Sequence, residues 1–441
     1  MSKIFESLFY SKVGQSLLGA MGVKPPIKLQ RYQGGSPWVV GRVLLADNPS
    51  TELSGVLEQT NTPFDVFKED QDSRYHSVLF DATAFSKTAD LSQLKVFFSK
   101  ISKQLNPSCH MVILGLNPAN CDGIEQASVM EALNGFTRSL GKEFGRKAIM
   151  VNVIYCQAVN QSIATPVNFL LSHRGAYISG QPLYVNNATT APNSLKWEKA
   201  LEGKLALVTG AAQGIGASIA QALSQEGATV IGLDIPPAKD ALEATLAPLN
   251  GIAVATDITS PEAIESIIKA LAGKTLDIVV HNAGVTRDKT LARMPDHFWD
   301  MAININLAAP MSITSALDEQ NQLSDDARVI CISSISGIAG NVGQTNYSAS
   351  KSGVVGYVRQ QAKLWANTHK TINAIAPGFI ETQMTEQIPF MTRELGRRMN
   401  SLSQGGQPQD VAQGVALFAQ PGSGGLNGQV LRVCGQSLIG A

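Results

Sequence analysis

The amino-acid sequence predicts an α/β protein with two domains, each built on a doubly wound parallel sheet. Short apolar runs typical of buried strands alternate with helical stretches along most of the chain. The length of 441 residues is sufficient for two domains that each bury a core. Part of the first half also repeats a pattern of the second half, which indicates two copies of one fold.

A glycine-rich turn lies between a predicted strand and a predicted helix in the second half of the chain. The apolar run Leu205–Val208 is followed by Thr209–Gly216, which reads TGAAQGIG, and a helical pattern begins at Ala217. Glycines at such a turn let backbone N–H groups approach a pyrophosphate at the helix N-terminus. An ordinary strand-to-helix connection can look similar, but the next strand ends at Asp234, 18 residues after Gly216. Because this spacing suits an acid that binds ribose hydroxyls, we predict a dinucleotide site.

Three side chains further along the chain, Ser334, Tyr347 and Lys351, are suited to acid–base chemistry. A Tyr and a Lys four residues apart lie on the same side of a helix. The ammonium is then expected to favour the phenolate and so to lower the pKa of Tyr347. Such a phenol can exchange a proton with a carbonyl or alcohol oxygen that Ser334 holds. Each residue alone has a simpler structural interpretation. Together with a dinucleotide site they predict transfer of a hydride at carbon and of a proton at oxygen.

Residues from about 203 to 441 resemble the short-chain dehydrogenase/reductase family, because its signature blocks occur here in the same order. The positions that the resemblance assigns to the cofactor are Gly210, Gln213, Gly214, Ile215, Gly216, Asp234, Asp257, Ile258, Asn282, Ala283, Gly284, Tyr347, Lys351, Pro377, Gly378, Ile380 and Thr382. The positions that it assigns to catalysis are Asn306, Ser334, Tyr347 and Lys351. One departure from the pattern is His281, which stands where the family has the first Asn of an NNAG block.

Within this family, residues 340–344 and 378–385 are most similar to the 3-oxoacyl-(acyl carrier protein) reductases, and the additional N-terminal half is similar to their high-molecular-weight form. The resemblance implies reduction of 3-oxoacyl thioesters, of coenzyme A or of acyl carrier protein, in fatty acid metabolism. Three alternatives stay open: oxidation of 3-hydroxyacyl-CoA, action on a non-thioester alcohol or ketone, and a non-enzymatic nucleotide-sensing scaffold. The intact set of Ser334, Tyr347 and Lys351 argues against the last of these.

The charge at the end of the second strand predicts the cofactor. The Asp234 carboxylate can accept hydrogen bonds from a ribose 2′-hydroxyl but would repel a 2′-phosphate. Relatives that prefer NADP usually have a basic residue in the glycine turn or just after the second strand, where this chain has Gln213 and Ile235. We therefore predict a preference for NAD(H) over NADP(H).

The region after the PG block, from Phe379 to Gly406, is long enough to form a helical lid over a substrate. Arg393, Arg397 and Arg398 would give the lid a basic face for the phosphates of coenzyme A or phosphopantetheine, although a solvated helix face is an equal alternative. The residues predicted to contact the substrate are Ser334, Gln344, Tyr347, Phe379, Arg393 and Arg397. Basic residues typical of carrier-protein docking are sparse, which keeps a coenzyme A thioester in consideration.

The domain boundaries are predicted as a helical arm at 1–24, a degenerate Rossmann or flavodoxin-like domain at 25–171, a linker at 172–202 and the catalytic domain at 203–441. Candidate strands of the first domain are Arg42–Ala46, Ser77–Phe80 and Met111–Leu114. The repeat is carried by an equal spacing of 17 residues between Gly135 and Asn152 and between Gly356 and Asn373.

On the register of this repeat, Gln126 and Met130 stand at the positions of Tyr347 and Lys351, and the turn after the first strand has no glycine cluster. The first domain is therefore predicted to have a structural role, in contact with the catalytic domain, in subunit association or in shaping the substrate channel, with retained nucleotide binding as the lesser alternative.

Composition narrows the remaining function classes. Charged residues make up 16% of the chain and the net charge is zero, which does not favour nucleic acid or an acidic membrane as a partner. The five cysteines show no metal-binding spacing and suit a reducing, cytoplasmic compartment. No apolar run reaches the roughly 18 residues of a membrane span. We expect a homodimer, with a tetramer as the alternative, because the added domain would cover one association surface of the smaller family members.

Overall fold

The structure, a computed structural model, describes residues 11, 25–69, 73–186, 195–386 and 388–440. These residues form two parallel β-sheets with helices on both faces, which confirms the predicted α/β architecture with two Rossmann-like units. We refer to residues 25–186 as the N-terminal domain and to residues 195–440 as the C-terminal domain. The predicted helical arm at residues 1–24 lies outside the described residues, apart from Ser11.

The sheet of the N-terminal domain has six parallel strands in the order β2-β1-β3-β4-β5-β6. The strands are β1 (Val43–Leu45), β2 (Phe64–Val66), β3 (Tyr75–Asp81), β4 (Leu105–Leu116), β5 (Met150–Cys156) and β6 (Pro182–Val185). The helices are α1 (Thr51–Gln59), α2 (Ser92–Ile101), α3 (Ile124–Phe144) and α4 (Ala164–Leu171). The three predicted strands correspond to β1, β3 and β4. Strand β5, which lies between β4 and the edge strand β6, is buried along its whole length, as expected for a parallel strand covered by helices on both faces.

The sheet of the C-terminal domain has seven parallel strands in the order β13-β12-β11-β10-β7-β8-β9. The strands are β7 (Leu205–Thr209), β8 (Thr229–Asp234), β9 (Ile252–Ala255), β10 (Leu276–His281), β11 (Leu323–Ile332), β12 (Thr371–Pro377) and β13 (Val430–Val433). The helices are α5 (Gly214–Gln225), α6 (Lys239–Leu246), α7 (Ala263–Leu271), α8 (Asp296–Ile303), α9 (Ala309–Glu319), α10 (Ile335–Ala339), α11 (Thr345–Leu364), α12 (Gln383–Glu386), α13 (Phe390–Arg398) and α14 (Pro408–Ala419).

The two sheets share one strand order once the edge strand β9 is set aside, which supports the repeat inferred from the sequence. Strands β2-β1-β3-β4-β5-β6 then correspond to β8-β7-β10-β11-β12-β13, and helix α3 corresponds to α11. The hydrogen bonds of the repeated asparagines agree with this register. Asn152 donates to the Ile178 carbonyl and accepts from the Gln181 N–H, while Asn373 does the same with Leu426 and Gln429.

The predicted linker at residues 172–202 contains the last strand of the first sheet. Strand β6 pairs in parallel with β5, so the N-terminal domain extends beyond the predicted boundary at residue 171. The segment from Ile178 to Val185 reads ISGQPLYV and matches LNGQVLRV at residues 426–433, where β13 lies. The polar, small residues that suggested a linker belong in part to the turn before this strand, where Gly180 has a φ of +68°.

The two domains meet through equivalent surfaces. Tyr177 and Gly425 occupy equivalent positions, three residues before Gly180 and Gly428, the glycines of the turn that precedes the last strand of each domain. The carbonyl of Tyr177 accepts from the Gly435 N–H and that of Gly425 accepts from the Asn186 N–H, both at 2.9 Å. Each domain thus binds the chain just after the last strand of the other. This reciprocity is the pattern of an isologous contact about an approximate two-fold axis.

The interface between the domains is apolar at its centre and ionic at two points. One buried cluster contains Phe169 and Tyr177 from the N-terminal domain and Val415 and Phe418 from the C-terminal domain. At one of the ionic points, Arg31 donates to both carboxylate oxygens of Asp410 at 2.8 and 2.9 Å. The other involves Arg174. The domains therefore share a core rather than lying on a flexible tether.

Among the helices that the structure describes, none is long and apolar enough to cross a membrane.

Candidate active site

The glycine turn after β7 has the geometry of a phosphate-binding loop. Gly210 and Gly214 have φ values of +67° and +61°, in the left-handed region that favours glycine. A Cβ atom at Gly216 would lie 1.9 Å from the Gly210 carbonyl oxygen, so no larger residue fits there without a backbone shift. Helix α5 begins at Gly214 with open space beside it. Free N–H groups at the first turn of a helix make a site for a pyrophosphate, so these residues fit a dinucleotide.

An open pocket runs from this turn along the carboxyl ends of the strands to the Tyr–Lys pair. Its lining residues that the sequence assigns to the cofactor are Gly210, Gln213, Gly214, Ile215, Gly216, Asp234, Asp257, Ile258, Asn282, Ala283, Gly284, Tyr347, Lys351 and Thr382. Three other assigned residues, Pro377 at the end of β12 and Gly378 and Ile380 just after it, are not among the residues that line this pocket. Gly378 there packs against Cys434, since a Cβ at this glycine would lie 2.6 Å from the Cys434 Cβ.

The Asn282 side chain fixes the glycine turn to the neighbouring strand end. Its Nδ2 donates to the carbonyls of Thr209 and Gly210, both at 3.0 Å. The Thr209 hydroxyl in turn accepts from the N–H groups of Asn282 and Ala283. His281, the departure from the family pattern, is buried with its Nε2 2.8 Å from the Thr314 hydroxyl. Burial lowers the pKa of His281 to about 4, so this side chain is a neutral structural residue at physiological pH.

The two acids of the pocket both use their carboxylates to hold backbone groups. Asp234 accepts from the N–H groups of Ala212 and Ile235, each at 2.9 Å. Asp257 accepts from the N–H and the hydroxyl of Thr259. Asp234 therefore ties the end of β8 to the glycine turn, a role that requires no ribose hydroxyl.

Tyr347 and Lys351 both line the pocket, and Ser334 lies within hydrogen-bonding reach of Tyr347. Ser334 caps helix α10, and its hydroxyl accepts from the Ser336 N–H at 3.1 Å. Tyr347 and Lys351 are one turn apart on α11, and the Lys351 Nζ lies 5.7 Å from the centre of the Tyr347 ring. The buried Lys351 donates to the Ile332 carbonyl at 2.8 Å. The predicted juxtaposition of these three side chains is therefore present in the fold.

The electrostatics of this triad differ from the sequence expectation. Burial raises the pKa of Tyr347 above its ordinary value, a hydrogen bond with Ser334 opposes that rise, and the nearby Asp288 adds to it. The predicted lowering of this pKa by Lys351 is therefore wrong, because burial of the phenol is the largest effect on it. Burial likewise lowers the pKa of Lys351 to about 8, against a smaller opposite effect of Cys331. The phenol is thus a proton donor rather than a phenolate near neutral pH.

Asn306 lies in a π-helical turn, residues 304–308, between α8 and α9. Its side chain is fully used: Nδ2 donates to the Val285 carbonyl and the Ser350 hydroxyl, and Oδ1 accepts from the Val285 N–H. π-Helical turns occur frequently at functional sites. Here the turn joins the block after β10 to helix α11, so the side chain of Asn306 acts as a structural link behind the triad.

Within the lid segment, residues 379–386 and 388–406, ion pairs engage two of the three predicted arginines, Arg397 and Arg398. The assignment of Arg393 and Arg397 to substrate phosphates stays a prediction. Arg397 contacts Glu381 through Nε and Nη2 at 2.5 and 2.9 Å, and Glu394 through Nη1. Arg398 also pairs with Glu394, at 3.3 Å. Arg393 is buried with its guanidinium 5.9 Å from the Phe390 ring.

The two remaining predicted substrate residues, Gln344 and Phe379, are each held by neighbours outside the triad. Gln344 precedes α11 and is held by Ser336, Asn341 and Asp288. Phe379 follows β12, and its ring packs on Gly396, where a Cβ would lie 2.7 Å away. Neither residue lines the cofactor pocket.

Several residues of the site were not predicted from the sequence. Thr286 and Arg287 line the pocket, and Asp288 affects the pKa of Tyr347. These three residues come soon after the NAG block, so their proximity to the site could have been inferred from their position. Met301 and Ile305 also line the pocket, but their helical surroundings gave no comparable signal.

A dinucleotide turn, a Tyr–Lys pair that lines the same pocket and a seven-stranded doubly wound sheet together define a nicotinamide-dependent oxidoreductase. A family model described as enoyl-(acyl carrier protein) reductase matches residues 210–435, slightly more than half of the chain. The protein belongs to the short-chain dehydrogenase/reductase family.

Individual relatives cover the same half of the chain. The 3-oxoacyl-(acyl-carrier-protein) reductase FabG of Thermotoga maritima is 38% identical over 54% of this chain and 99% of its own length. The FabG of Escherichia coli is 36% identical over 53% of this chain and 97% of its own length. Among solved structures, the angucycline C-6 ketoreductase LanV matches with a TM-score of 0.51 and 26% identity, covering 54% of this chain and 97% of LanV.

The structure of LanV contains NADP, and this finding corrects the predicted preference for NAD(H) over NADP(H). The prediction rested on repulsion between the Asp234 carboxylate and a 2′-phosphate. The Asp234 carboxylate already accepts hydrogen bonds from the backbone of Ala212 and Ile235. An acid at this position therefore does not by itself indicate whether the bound ribose carries a 2′-hydroxyl or a 2′-phosphate.

Proposed function

We propose that this protein reduces the 3-oxo group of an acyl thioester to a 3-hydroxyl group, as the names of its FabG relatives suggest. The observation that carries the proposal is the continuity of one pocket from the glycine turn at Gly210 to Tyr347 and Lys351. Such a pocket holds the two halves of the reaction side by side, since a bound reduced nicotinamide dinucleotide supplies the hydride.

The residues of the chain supply binding and the proton. The Ser334 hydroxyl and the Tyr347 phenol would both donate hydrogen bonds to the ketone oxygen and stabilise the negative charge that develops there. Tyr347 then gives its proton to that oxygen, and its raised pKa keeps the proton available near neutral pH. Lys351, still charged below its pKa of about 8, favours the resulting phenolate and can bind ribose hydroxyls.

The carrier of the acyl group is proposed by similarity: an acyl carrier protein follows from the names of the relatives, and coenzyme A is the alternative. Both present the same phosphopantetheine thioester, so the chemistry at Tyr347 is common to them. Arg397 and Arg398 of the lid are paired with Glu381 and Glu394, and they therefore do not decide between the two carriers.

A second candidate substrate is a ketone that is not a thioester. It is favoured by the similarity to LanV, a ketoreductase whose name specifies an angucycline. The triad would act identically on such a ketone. Only the walls of the acyl site would distinguish the two classes of substrate.

The test is the oxidation of NADPH, with NADH in parallel, followed at 340 nm with acetoacetyl-CoA and with an acetoacetyl carrier protein. Tyr347→Phe should lower kcat at least about 100-fold, because the general acid is removed, and should leave nucleotide binding nearly unchanged. Tyr357→Phe, on the same helix, is the matched control: its hydroxyl contacts Thr314, outside the pocket. Turnover that survives in Tyr347→Phe, or an equal loss in both variants, would contradict the proposal.

We also keep the homodimer as a proposal. Met311 on α9 and Leu364 on α11 are 42% and 67% exposed, and these two apolar side chains line one groove between the two helices. Light scattering of the purified protein measures the mass directly, and a monomer at micromolar concentration would refute this part of the proposal.

A further inference from the structure

The N-terminal domain contacts the substrate lid of the C-terminal domain, and most of these contacts involve Tyr177. This side chain is fully buried, although it belongs to the domain that lacks the dinucleotide turn. Its hydroxyl donates to the Gln404 carbonyl at 2.9 Å and accepts from the Asn400 Nδ2 at 3.2 Å. Both partners belong to the end of the lid segment. The phenol is therefore held between two domains rather than within the core of its own domain.

The ring of Tyr177 also packs against the point where the lid segment closes on itself. A Cβ at Gly406 would lie 2.5 Å from the Tyr177 ring, so the ring occupies the space of a side chain at this position. Gly406 pairs with Ile380 in an isolated parallel bridge, with hydrogen bonds from the Glu381 N–H to the Gly406 carbonyl and from the Gly406 N–H to the Phe379 carbonyl. We call this pairing of 379–381 with 404–406 the neck of the lid.

The neck leads directly to the cofactor pocket. Thr382 and Gln383, the next residues after the first strand of the neck, line that pocket. A displacement of the neck would therefore move residues at the nicotinamide end of the site. The Glu381–Arg397 ion pair joins the start of the lid to helix α13, so the lid and its neck form one connected body.

A second contact fixes the far end of the same body. The Gln436 side chain, from the chain after β13, lies in a notch formed by Gly141 and Gly180 of the N-terminal domain. Its Nε2 donates to the Arg138 carbonyl and its Oε1 accepts from the Ser401 hydroxyl at 3.0 Å. A Cβ at Gly145 would lie 2.3 Å from the Ser401 carbonyl oxygen, which shows how closely the end of α3 approaches the lid.

We propose that the N-terminal domain acts in the reaction as a clamp on the substrate lid, with Tyr177 as the positioning residue that holds the neck against the cofactor pocket. The proposal rests on the function proposed above for the substrate, but the clamp itself is a property of the fold. It gives the domain without a dinucleotide turn a defined role, because this domain then sets the affinity of the enzyme for the acyl substrate without touching the reacting atoms.

The experiment compares Tyr177→Phe with Tyr155→Phe in the full-length protein. Tyr155→Phe is the matched control, because Tyr155 is equally buried but its hydroxyl donates to the Met130 carbonyl inside the N-terminal domain. Both variants lose one buried hydroxyl and keep the ring. Hydrogen–deuterium exchange of peptides covering residues 388–406 is measured first, and steady-state kinetics with the thioester second.

In Tyr177→Phe, exchange in the lid segment should rise about 5- to 30-fold, the effect of losing one or two hydrogen bonds on a local opening equilibrium. The KM for the thioester should rise by a similar factor, and more than the KM for the nucleotide, which only Thr382 and Gln383 next to the neck can affect, while kcat stays within about twofold. Tyr155→Phe should leave lid exchange and the thioester KM unchanged.

Two outcomes would overturn the clamp. One is lid exchange in Tyr177→Phe equal to that of the unmodified protein; the other is faster exchange spread evenly over both domains, which would make Tyr177 an ordinary core residue. Failure of the proposed substrate has a different signature, namely no thioester turnover in any of the three proteins together with a selective rise of lid exchange in Tyr177→Phe.

Discussion

Replacing Arg174 with methionine should destabilise the junction of the two domains more than any exposed charge change. The Arg174 side chain is 1% exposed, and its Nη2 lies 2.6 Å from Glu226 Oε1 at the end of α5. Its Nη1 donates to Gln413 Oε1 at 3.0 Å. The guanidinium also lies 3.8 Å from the centre of the Tyr32 ring and 4.3 Å from that of Trp38.

The magnitude follows from what the substitution leaves behind. The Glu226 side chain is 7% exposed, so without Arg174 it becomes a buried carboxylate with no cation. Breaking a buried pair by removing one partner costs about 3–5 kcal/mol. At roughly 2–4 °C per kcal/mol for domains of this size, the thermal midpoint should fall by about 6–20 °C.

A rescue is expected as well as a loss. Because the cost arises from the unpaired carboxylate, the double variant Arg174→Met/Glu226→Gln should recover about half or more of the lost midpoint. Lys239→Met serves as the control, since its pair with Glu243 is more than half exposed on both sides and should change the midpoint by less than about 3 °C. Differential scanning calorimetry measures all four proteins. A double variant no more stable than Arg174→Met would refute the argument from an unpaired charge.

Two further predictions concern the cofactor pocket. Lys351 is charged below its pKa of about 8, so kcat/KM for the nucleotide, which reports the free enzyme, should be level at lower pH and fall above about pH 8. The Lys351→Arg variant stays charged and should not show that fall. A profile of the unmodified protein that is flat to pH 10 would contradict the role of this charge. Gly216→Ala should weaken nucleotide binding at least about 10-fold in a fluorescence titration, because its Cβ would meet the Gly210 carbonyl at 1.9 Å, whereas Gly356→Ala on α11 meets nothing within 4 Å and should bind normally. Equal binding by the two glycine variants would show that the turn tolerates a side chain.

Local sequence predicted the parts of the site that depend on backbone geometry. The turn at Gly210–Gly216 and the spacing of Tyr347 and Lys351 are encoded within a few residues, and the structure has both as expected. The direction of the Tyr347 pKa could not be predicted in this way, because it depends on burial by segments distant in the chain.

The ion pairs of the lid arginines show the same difference between local contacts, which the sequence can predict, and distant ones, which it cannot. Glu394 stands three and four residues before Arg397 and Arg398, a helical spacing visible in the sequence. Glu381 reaches Arg397 only because the lid closes at its neck, which no local pattern indicates. Strand β6 is a different case: its similarity to β13 was present in the sequence, but only four residues are extended and the polar surroundings concealed it.

The two domains have the same side chains at positions that join neighbouring strands, but different side chains at the positions of the catalytic residues. Asn152 and Asn373 make equivalent bonds in the two sheets, whereas the position of Lys351 is taken by Met130, a buried residue whose sulfur accepts from the Leu116 N–H. If the N-terminal domain served only to keep the protein in solution, it would not need a surface complementary to the C-terminal domain. The N-terminal domain instead presents Tyr177 to the lid and Arg174 to the helix that begins at the glycine turn. Through these two contacts it holds the neck of the lid at one point and, at the other, the end of that helix remote from the glycine turn.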